Sequence, residues 1–263
     1  GSESTGVIPF VKVVDAEMLA FSQGVTRRGS YAGYMHISHP EIEEFLDIRK
    51  PTGGDTNRKC LNLHHGVVIP DKFMEVIHRA TREEGFDDSW ELIDPHSNEV
   101  KKVVSARALW VKLLQNRMET GEPYVMYEDA VNAELPQFQK ELGLYVNHSN
   151  LCSEITLATN DERTAVCCLS SVNLEYYDEW SKVPAFIPDL IRMLDNVLTY
   201  FIDNAPTQME KARFSAYRER SIGLGAMGFH AYLQKNMIPF ESIHAGNVTY
   251  EMFQHIKSQA QTE

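Results

Sequence analysis

The segment LNLHHGVVI (61–69) runs without a spacer into PDKFMEVIHRATREEG (70–85), an extended apolar run followed at once by an amphipathic helical pattern. No other feature constrains the fold as strongly, because the alternation recurs along the chain. YAGYMHI (31–37) reads as extended and PEIEEFLDIRK (40–50) as helical, with Pro40 well placed near a first turn. SARALWVKLLQNRMETG (105–121) reads as a helix that Ser105 caps and Gly121 ends, preceded by acidic DDSW and DPHSNE turns. YVMYED, SNLCSEITL and TAVCCLSSVNL are further strand candidates. AFIPDLIRMLDNVLTYFIDN (185–204) is a long amphipathic helix, and GLGAMGFHAYLQK (223–235) predicts another. Alternating β and α elements favour an α/β fold with a substantially buried sheet.

With 263 residues, 43% of them hydrophobic, the chain can bury a sizeable core, as one large domain or two small ones. No internal repeat, low-complexity tract or composition shift marks a linker. No apolar run approaches the roughly 18 residues of a membrane span and no signal peptide is visible, so a cytoplasmic protein is expected. The net charge of −12 argues against a broad nucleic-acid surface, which draws on clustered Lys and Arg. Small anions remain open as ligands of local groups. Cys60, Cys152, Cys167 and Cys168 show neither C-x-x-C spacing nor the density of a secreted scaffold, and read as reduced thiols. His36 and His39 in HISH, and His64 and His65 in LNLHHG, lack a carboxylate or cysteine at familiar ligand spacing, so no metal site is expected. The start at Gly1 without Met and the end within KSQAQTE read as a piece of something longer.

The candidate chemistry lies in SNLCSEITL (149–157). If this segment is extended, Asn150, Cys152, Glu154 and Thr156 share one face and Leu151, Ile155 and Leu157 the other. The same pattern fits an amphipathic strand with a packed cysteine. A nucleophilic cysteine works as a thiolate, and a carboxylate at Glu154 opposes that form, which argues against a papain-like hydrolase even with His148 nearby. A neutral thiol beside a carboxylate suits hydrogen-atom exchange at sulfur with proton transfer to the carboxylate, and Asn150 could hold a substrate hydroxyl. In TAVCCLSSVNL, a regular strand lets only one of Cys167 and Cys168 face the same cavity as Cys152.

The pair of motifs N-x-C-x-E (Asn150, Cys152, Glu154) and A-V-C-x-L-x-S, beginning at Ala165, resembles the catalytic core of the ribonucleotide reductase large chain, most closely the aerobic class I enzymes. The resemblance implies the ten-stranded α/β barrel of that family, with residues 1–263 as a central portion of its catalytic domain. It implies that Cys152 becomes a transient thiyl radical that abstracts the ribose 3′ hydrogen. Glu154 would be general base for the 3′ hydroxyl, and Asn150 would orient the substrate. Cys167 would be one half of the reducing dithiol, with Cys168 left to packing.

Towards the N-terminus, GSESTGVIPFVKVVD and SQGVTRRGSYAGYMHISHPEIEEFLDIRK resemble the segment around the loop linking the specificity effector site to the substrate base, which places Gln23, Arg27, Arg28 and Gly29 in that loop. The residues agree in kind. Gly24 and Gly29 bracket a polar loop able to change backbone conformation, and two arginines offer planar donors for a base or phosphate. A solvated basic turn is the plainer alternative. The G-L-G-x-x-G spacing of Gly223, Gly225 and Gly228 follows the helical KARFSAYRER rather than a strand, so a dinucleotide fingerprint is rejected in favour of close helix packing. Tyr176 and Tyr177 read as surface or core aromatics.

The resemblance implies that this segment binds no cofactor of its own. The radical would come from a metal-containing small (beta) subunit, or from adenosylcobalamin if the chain is of class II; the surroundings of Gln23 favour class I. It further implies dNTP or ATP effectors, a ribonucleoside diphosphate substrate, a second large subunit and thioredoxin or glutaredoxin as partners. The dithiol partner of Cys167 would lie before Gly1, and a phosphate-binding loop, a tyrosine relay and the terminal redox cysteines after Glu263. The segment alone is then expected to be catalytically incomplete and to expose sheet edges. A non-catalytic nucleotide-binding module, which would not need Cys152, is the alternative from another class.

Overall fold

The alternating pattern of residues 31–37 and 61–69 is realised as neighbouring parallel strands in the computed structural model, which describes residues 4–24 and 26–263. Gly1, Ser2, Glu3, Val25 and the Gln23 side chain lie outside the described residues, and with them the start of the GSESTG block. The chain divides into two compact units, residues 1–157 and 158–263.

The first unit runs α1 (Ile8–Ala20), β1 (Ser22–Gln23), β2 (Arg27–Arg28), β3 (Ala32–His36), α2 (Ile42–Phe45), β4 (His64–Ile69), α3 (Asp71–Arg82), β5 (Ser89–Ile93), β6 (Val100–Ser105), α4 (Ala106–Thr120), β7 (Tyr124–Tyr127), α5 (Glu128–Ala133) and α6 (Gln137–Glu141). Strands β3, β4 and β7 form a parallel sheet in which Tyr34, Gly66 and Tyr124 stand side by side. Because side chains alternate, Met35, Val67 and Ile69 share one face, and they join Phe73, Leu109 and Leu113 in the core beneath α3 and α4. Full burial of one such aliphatic side chain contributes about 1.5–3 kcal/mol. The opposite face carries Ala32, Tyr34 and His36 on β3, His64, Gly66 and Val68 on β4, and Tyr124 and Met126 on β7. It is this face that bears the candidate chemistry.

Helix α4 forms where its end signals place it. The Ser105 hydroxyl accepts from the Ala108 N–H at 3.0 Å, and Gly121 ends the helix at φ +79°, a left-handed conformation that glycine adopts without steric cost. Ser105→Ala is expected to destabilise the protein by about 1 kcal/mol, read as a lower midpoint in denaturant unfolding. Other segments depart from the sequence reading. The helix expected over 40–50 is confined to Ile42–Phe45 and continues as turns to Arg49, ending where Lys50 precedes Pro51, a position at which proline disfavours helical backbone. DDSW opens an antiparallel hairpin, β5 with β6, for which DPHSNE is the turn. Helix α1, begun at Ile8 and Pro9, has no counterpart among the predicted elements.

The second unit contains β8 (Cys168–Asn173), α7 (Tyr177–Trp180), α8 (Phe186–Asn204), α9 (Glu210–Glu219), β9 (Ile222–Met227), α10 (Phe229–Lys235) and α11 (Ile243–Thr262), around a core of Val172, Leu174, Trp180, Ile187, Met252 and Ile256. TAVCCLSSVNL is a strand only from Cys168 onward. The helix predicted over 223–235 is corrected more sharply: Ile222–Met227 is a strand, parallel to β8, and only Phe229–Lys235 is helical. Glycine is a poor helix former, and here its missing Cβ serves strand packing. A Cβ on Gly223 would stand 2.5 Å from Leu169 Cδ2, and one on Gly228 would stand 2.1 Å from Asn173 Oδ1. With Gly223 and Gly225 inside a strand and Gly228 capping a short helix, the spacing is not a phosphate-binding turn, and the glycines serve strand contact rather than helix packing. Tyr177 packs its ring 5.0 Å from that of Trp180, and Tyr176 is exposed.

Candidate active site

SNLCSEITL is not a strand. Leu151 and Cys152 form a turn, and Ser153 takes φ 67°. The Asn150 side chain is the cause: its Oδ1 accepts the Ile155 N–H at 2.9 Å, while the Asn150 N–H donates to the Ile155 carbonyl at 3.2 Å. Asparagine side chains offer the backbone such local acceptors in competition with sheet ladders. The Asn150 carbonyl also accepts the Ser153 N–H at 3.2 Å, so one residue closes the loop from both sides. Cys152 and Glu154 stand exposed at its tip. Asn150, Cys152 and Glu154 therefore do not share a strand face; they lie on one tight turn, with Cys152 and Glu154 exposed. The amide oxygen of Asn150 is used within the loop, which leaves the NH2 end as its donor to a ligand.

The loop is tied to the polar face of the parallel sheet. Tyr34 on β3 reaches Ser149, hydroxyl to hydroxyl, at 2.5 Å. Beside this contact lies an open cavity of about 410 Å³ lined by Tyr31, Tyr34, His36, Glu128, Asn147 and His148. His36 Nε2 stands 3.1 Å from Glu128 Oε1, and the Tyr145 hydroxyl donates to Glu128 Oε2 at 3.2 Å. At the other end of the face, Glu122 bridges His64 and the backbone N–H of His65. The His64 ring stacks on Tyr124 at 5.9 Å.

Electrostatics within this cluster follow from burial and contact. Burial alone would raise the Glu122 carboxyl, but the nearby His65 ring and the hydrogen bonds with His64 and from the His65 N–H outweigh it and hold the group at about 2. Burial pushes the Tyr124 hydroxyl up, with Glu122, Tyr34 and Cys152 adding to the effect, which sets Tyr124 in the electrostatic neighbourhood of the Cys152 thiol. Cys60 is far from an active thiol: it is buried in the core, and burial with Asp15 pushes it up to about 11. Among the described residues, no group of three or more His, Cys, Asp or Glu side chains is gathered as a metal-binding set.

Two of the sequence-derived sites lie elsewhere in the chain. Gln23, Arg27 and Arg28 fall in a hairpin, β1 with β2, in which Ser22 pairs with Arg28 and Gln23 with Arg27. Gly24 turns it at φ +70°, and Gly29 closes its base through an N–H donated to the Phe21 carbonyl at 2.7 Å. Both arginines are exposed. In the second unit, Cys167 sits immediately before β8 and its thiol approaches the Cys168 carbonyl at 3.8 Å. A Cβ on Gly223 would stand 3.6 Å from the Cys167 sulfur, an ordinary van der Waals contact, so that strand β9 runs beside the thiol. Cys168 opens the strand, and burial pushes its thiol up.

Residues 1–263, the entire chain, match the family model described as the ribonucleotide reductase barrel domain. The chain belongs to the ribonucleotide reductase barrel family. Within that family it is 43% identical, over 97% of its length, to a ribonucleoside-diphosphate reductase large subunit of Invertebrate iridescent virus 3, of which it spans 48%. It is 34% identical over 92% of its length to the alpha subunit of ribonucleoside-diphosphate reductase of Chlamydia trachomatis, of which it spans 25%. A solved structure, the class Id ribonucleotide reductase alpha subunit of Actinobacillus ureae, superimposes with a TM-score of 0.78 at 33% identity, covering 98% of this chain and 44% of that one. The chain thus spans less than half of the length of these relatives. The likeness extends to fold as well as sequence, and the α/β barrel-domain assignment follows from both.

Sequence reasoning does not single out Tyr34, Glu122 or Tyr124 in this member of the barrel family. The spacing of Ala32, Tyr34 and His36 already put them on one strand face. Nothing local told that Gly66 and Tyr124 would lie beside them.

Proposed function

We propose that the chain is the central portion of a ribonucleoside-diphosphate reductase large subunit and that the loop of residues 149–155 starts the reduction. The observation that carries this reading is the loop itself, a tight turn closed by Asn150 and tied through Ser149 to Tyr34 of the parallel sheet, with Cys152 and Glu154 exposed on it. The Cys152 sulfur, as a thiyl radical, takes the hydrogen atom from C3′ and becomes a thiol. Glu154 takes the proton of the 3′ hydroxyl, and the Asn150 NH2 holds that hydroxyl in line. The 2′ hydroxyl leaves as water. Cys167 and a second cysteine supply two electrons and become a disulfide, and Cys152 returns its hydrogen atom to C3′. Ribonucleotide and dithiol thereby give 2′-deoxyribonucleotide, disulfide and water.

The radical is supplied by a metal-containing small subunit, as in class I; the likeness to a class Id alpha subunit supports that choice. The hairpin carrying Gln23, Arg27, Arg28 and Gly29 relays the dNTP or ATP effector to the substrate base, with Gly24 as the residue able to change backbone conformation. A second large subunit and thioredoxin or glutaredoxin complete the set of partners, in the reducing cytoplasm. No helix among the described residues is long and apolar enough to cross a membrane.

The test is deoxynucleotide formation by the full large subunit carrying this segment, given a radical-supplying small subunit and a dithiol. Absence of product would overturn the reading. In the same assay Glu154→Gln is expected to lower kcat by about 10²–10⁴-fold with little change in KM, as loss of a general base does. An unchanged kcat would remove the base role from Glu154.

A further inference from the structure

Gly66 and Ser149 lie far apart in the chain, yet both are fitted to one side chain. The Tyr34 ring lies against the backbone of Gly66: a Cβ there would stand 2.3 Å from Tyr34 Cε1 and 2.8 Å from its Cζ. Only glycine leaves the ring this position on the polar face. From it the hydroxyl meets Ser149 Oγ at 2.5 Å, and Ser149 is only 7% exposed, so water does not compete for the contact. Ser149 Oγ in turn donates to the Asn150 carbonyl at 3.1 Å. A serine hydroxyl has one proton, so with that proton given to Asn150 the Tyr34 hydroxyl is the donor to Ser149. A directed chain of hydrogen bonds therefore runs from the sheet through Ser149 to the carbonyl that also accepts the Ser153 N–H and closes the loop around Cys152.

We propose that Tyr34 is a positioning residue for Cys152, its hydroxyl fixing the loop that carries the thiol to the rigid parallel sheet. The proposal rests on the reading of Cys152 as the hydrogen-abstracting group. Radical abstraction is sensitive to the distance between sulfur and C3′, and a displacement of about 1 Å can cost on the order of 10²-fold in rate. The aromatic ring packs against Gly66 whether or not it carries a hydroxyl, so Tyr34→Phe separates the tether from the packing.

The experiment uses the full large subunit with its small subunit. Tyr34→Phe, Ser149→Ala and the double variant are each expected to lower kcat by about tenfold, while KM and the melting temperature stay close to native. The double variant should be no worse than either single one, because both remove the same link. A second reading is independent of turnover: iodoacetamide labelling of Cys152, followed by peptide mapping, should change rate in Tyr34→Phe while labelling of Cys167 and Cys168 does not. Native kcat with native Cys152 labelling in Tyr34→Phe would overturn the proposal, as would equal changes in kcat, KM and melting temperature. If Cys152→Ser instead kept full turnover, the reading of the site would fall, and the labelling experiment would still report on the tether alone.

Discussion

Cys152→Ser in the full large subunit is expected to abolish deoxynucleotide formation, a loss of at least about 10³-fold corresponding to at least about 4 kcal/mol of transition-state stabilisation. In the proposed reaction the Cys152 sulfur exchanges hydrogen with the substrate, and the serine O–H bond is too strong to be opened by the same radical transfer. Structure gives no reason for the variant to misfold. Cys152 is exposed at the loop tip, and the hydrogen bonds that shape the loop come from Asn150, Ser153 and Ile155. Substrate binding and melting temperature are therefore expected to match the native protein, measured by equilibrium binding of a ribonucleoside diphosphate and by thermal unfolding. Undiminished turnover would mean that the loop is scaffold only.

Glu122→Gln is expected to carry the largest cost in stability, about 3 kcal/mol at pH 7. Glu122 is buried and joins β7 to β4 through His64 and the His65 N–H, and an amide would present an NH2 where a donor already points. The sign follows from its titration. The folded carboxyl is held at about 2, below the ordinary glutamate value of 4.5, so the charged form contributes stability above pH 4.5 and loses it as pH falls towards 2. The gap between native and variant should be constant from pH 7 to about pH 5.5 and narrow by about 1 kcal/mol by pH 3.5. Urea unfolding followed by tryptophan fluorescence at these pH values checks it; a gap independent of pH would show that the charge is not the source.

Several elements were legible locally because their signals are local. Ser105 and Gly121 bracket α4 through a side-chain cap and a left-handed terminus, both decided within a few residues. The apolar period of 70–85 gave α3, and the β-branched run of 61–69 gave β4. GLGAMG misled because its apolar spacing suits a helix while its glycines are needed for contact with β8, a strand more than 50 residues earlier. SNLCSEITL misled because its two-residue alternation is real, yet the Asn150 amide offers the backbone a closer partner than any sheet neighbour.

Sequence alone determined which groups are available for chemistry, a thiol, a carboxylate and an amide in one short motif, since these identities need no neighbours. Only tertiary structure decided how they are held. The parallel register sets Tyr34, Gly66 and Tyr124 side by side from three separate stretches of chain. Parallel strands pair through long crossover connections, and no pattern within one strand specifies the residue that will face it on the next. The tether from Tyr34 to Ser149 and the Glu122 bridge to His64 exist only once that register has formed.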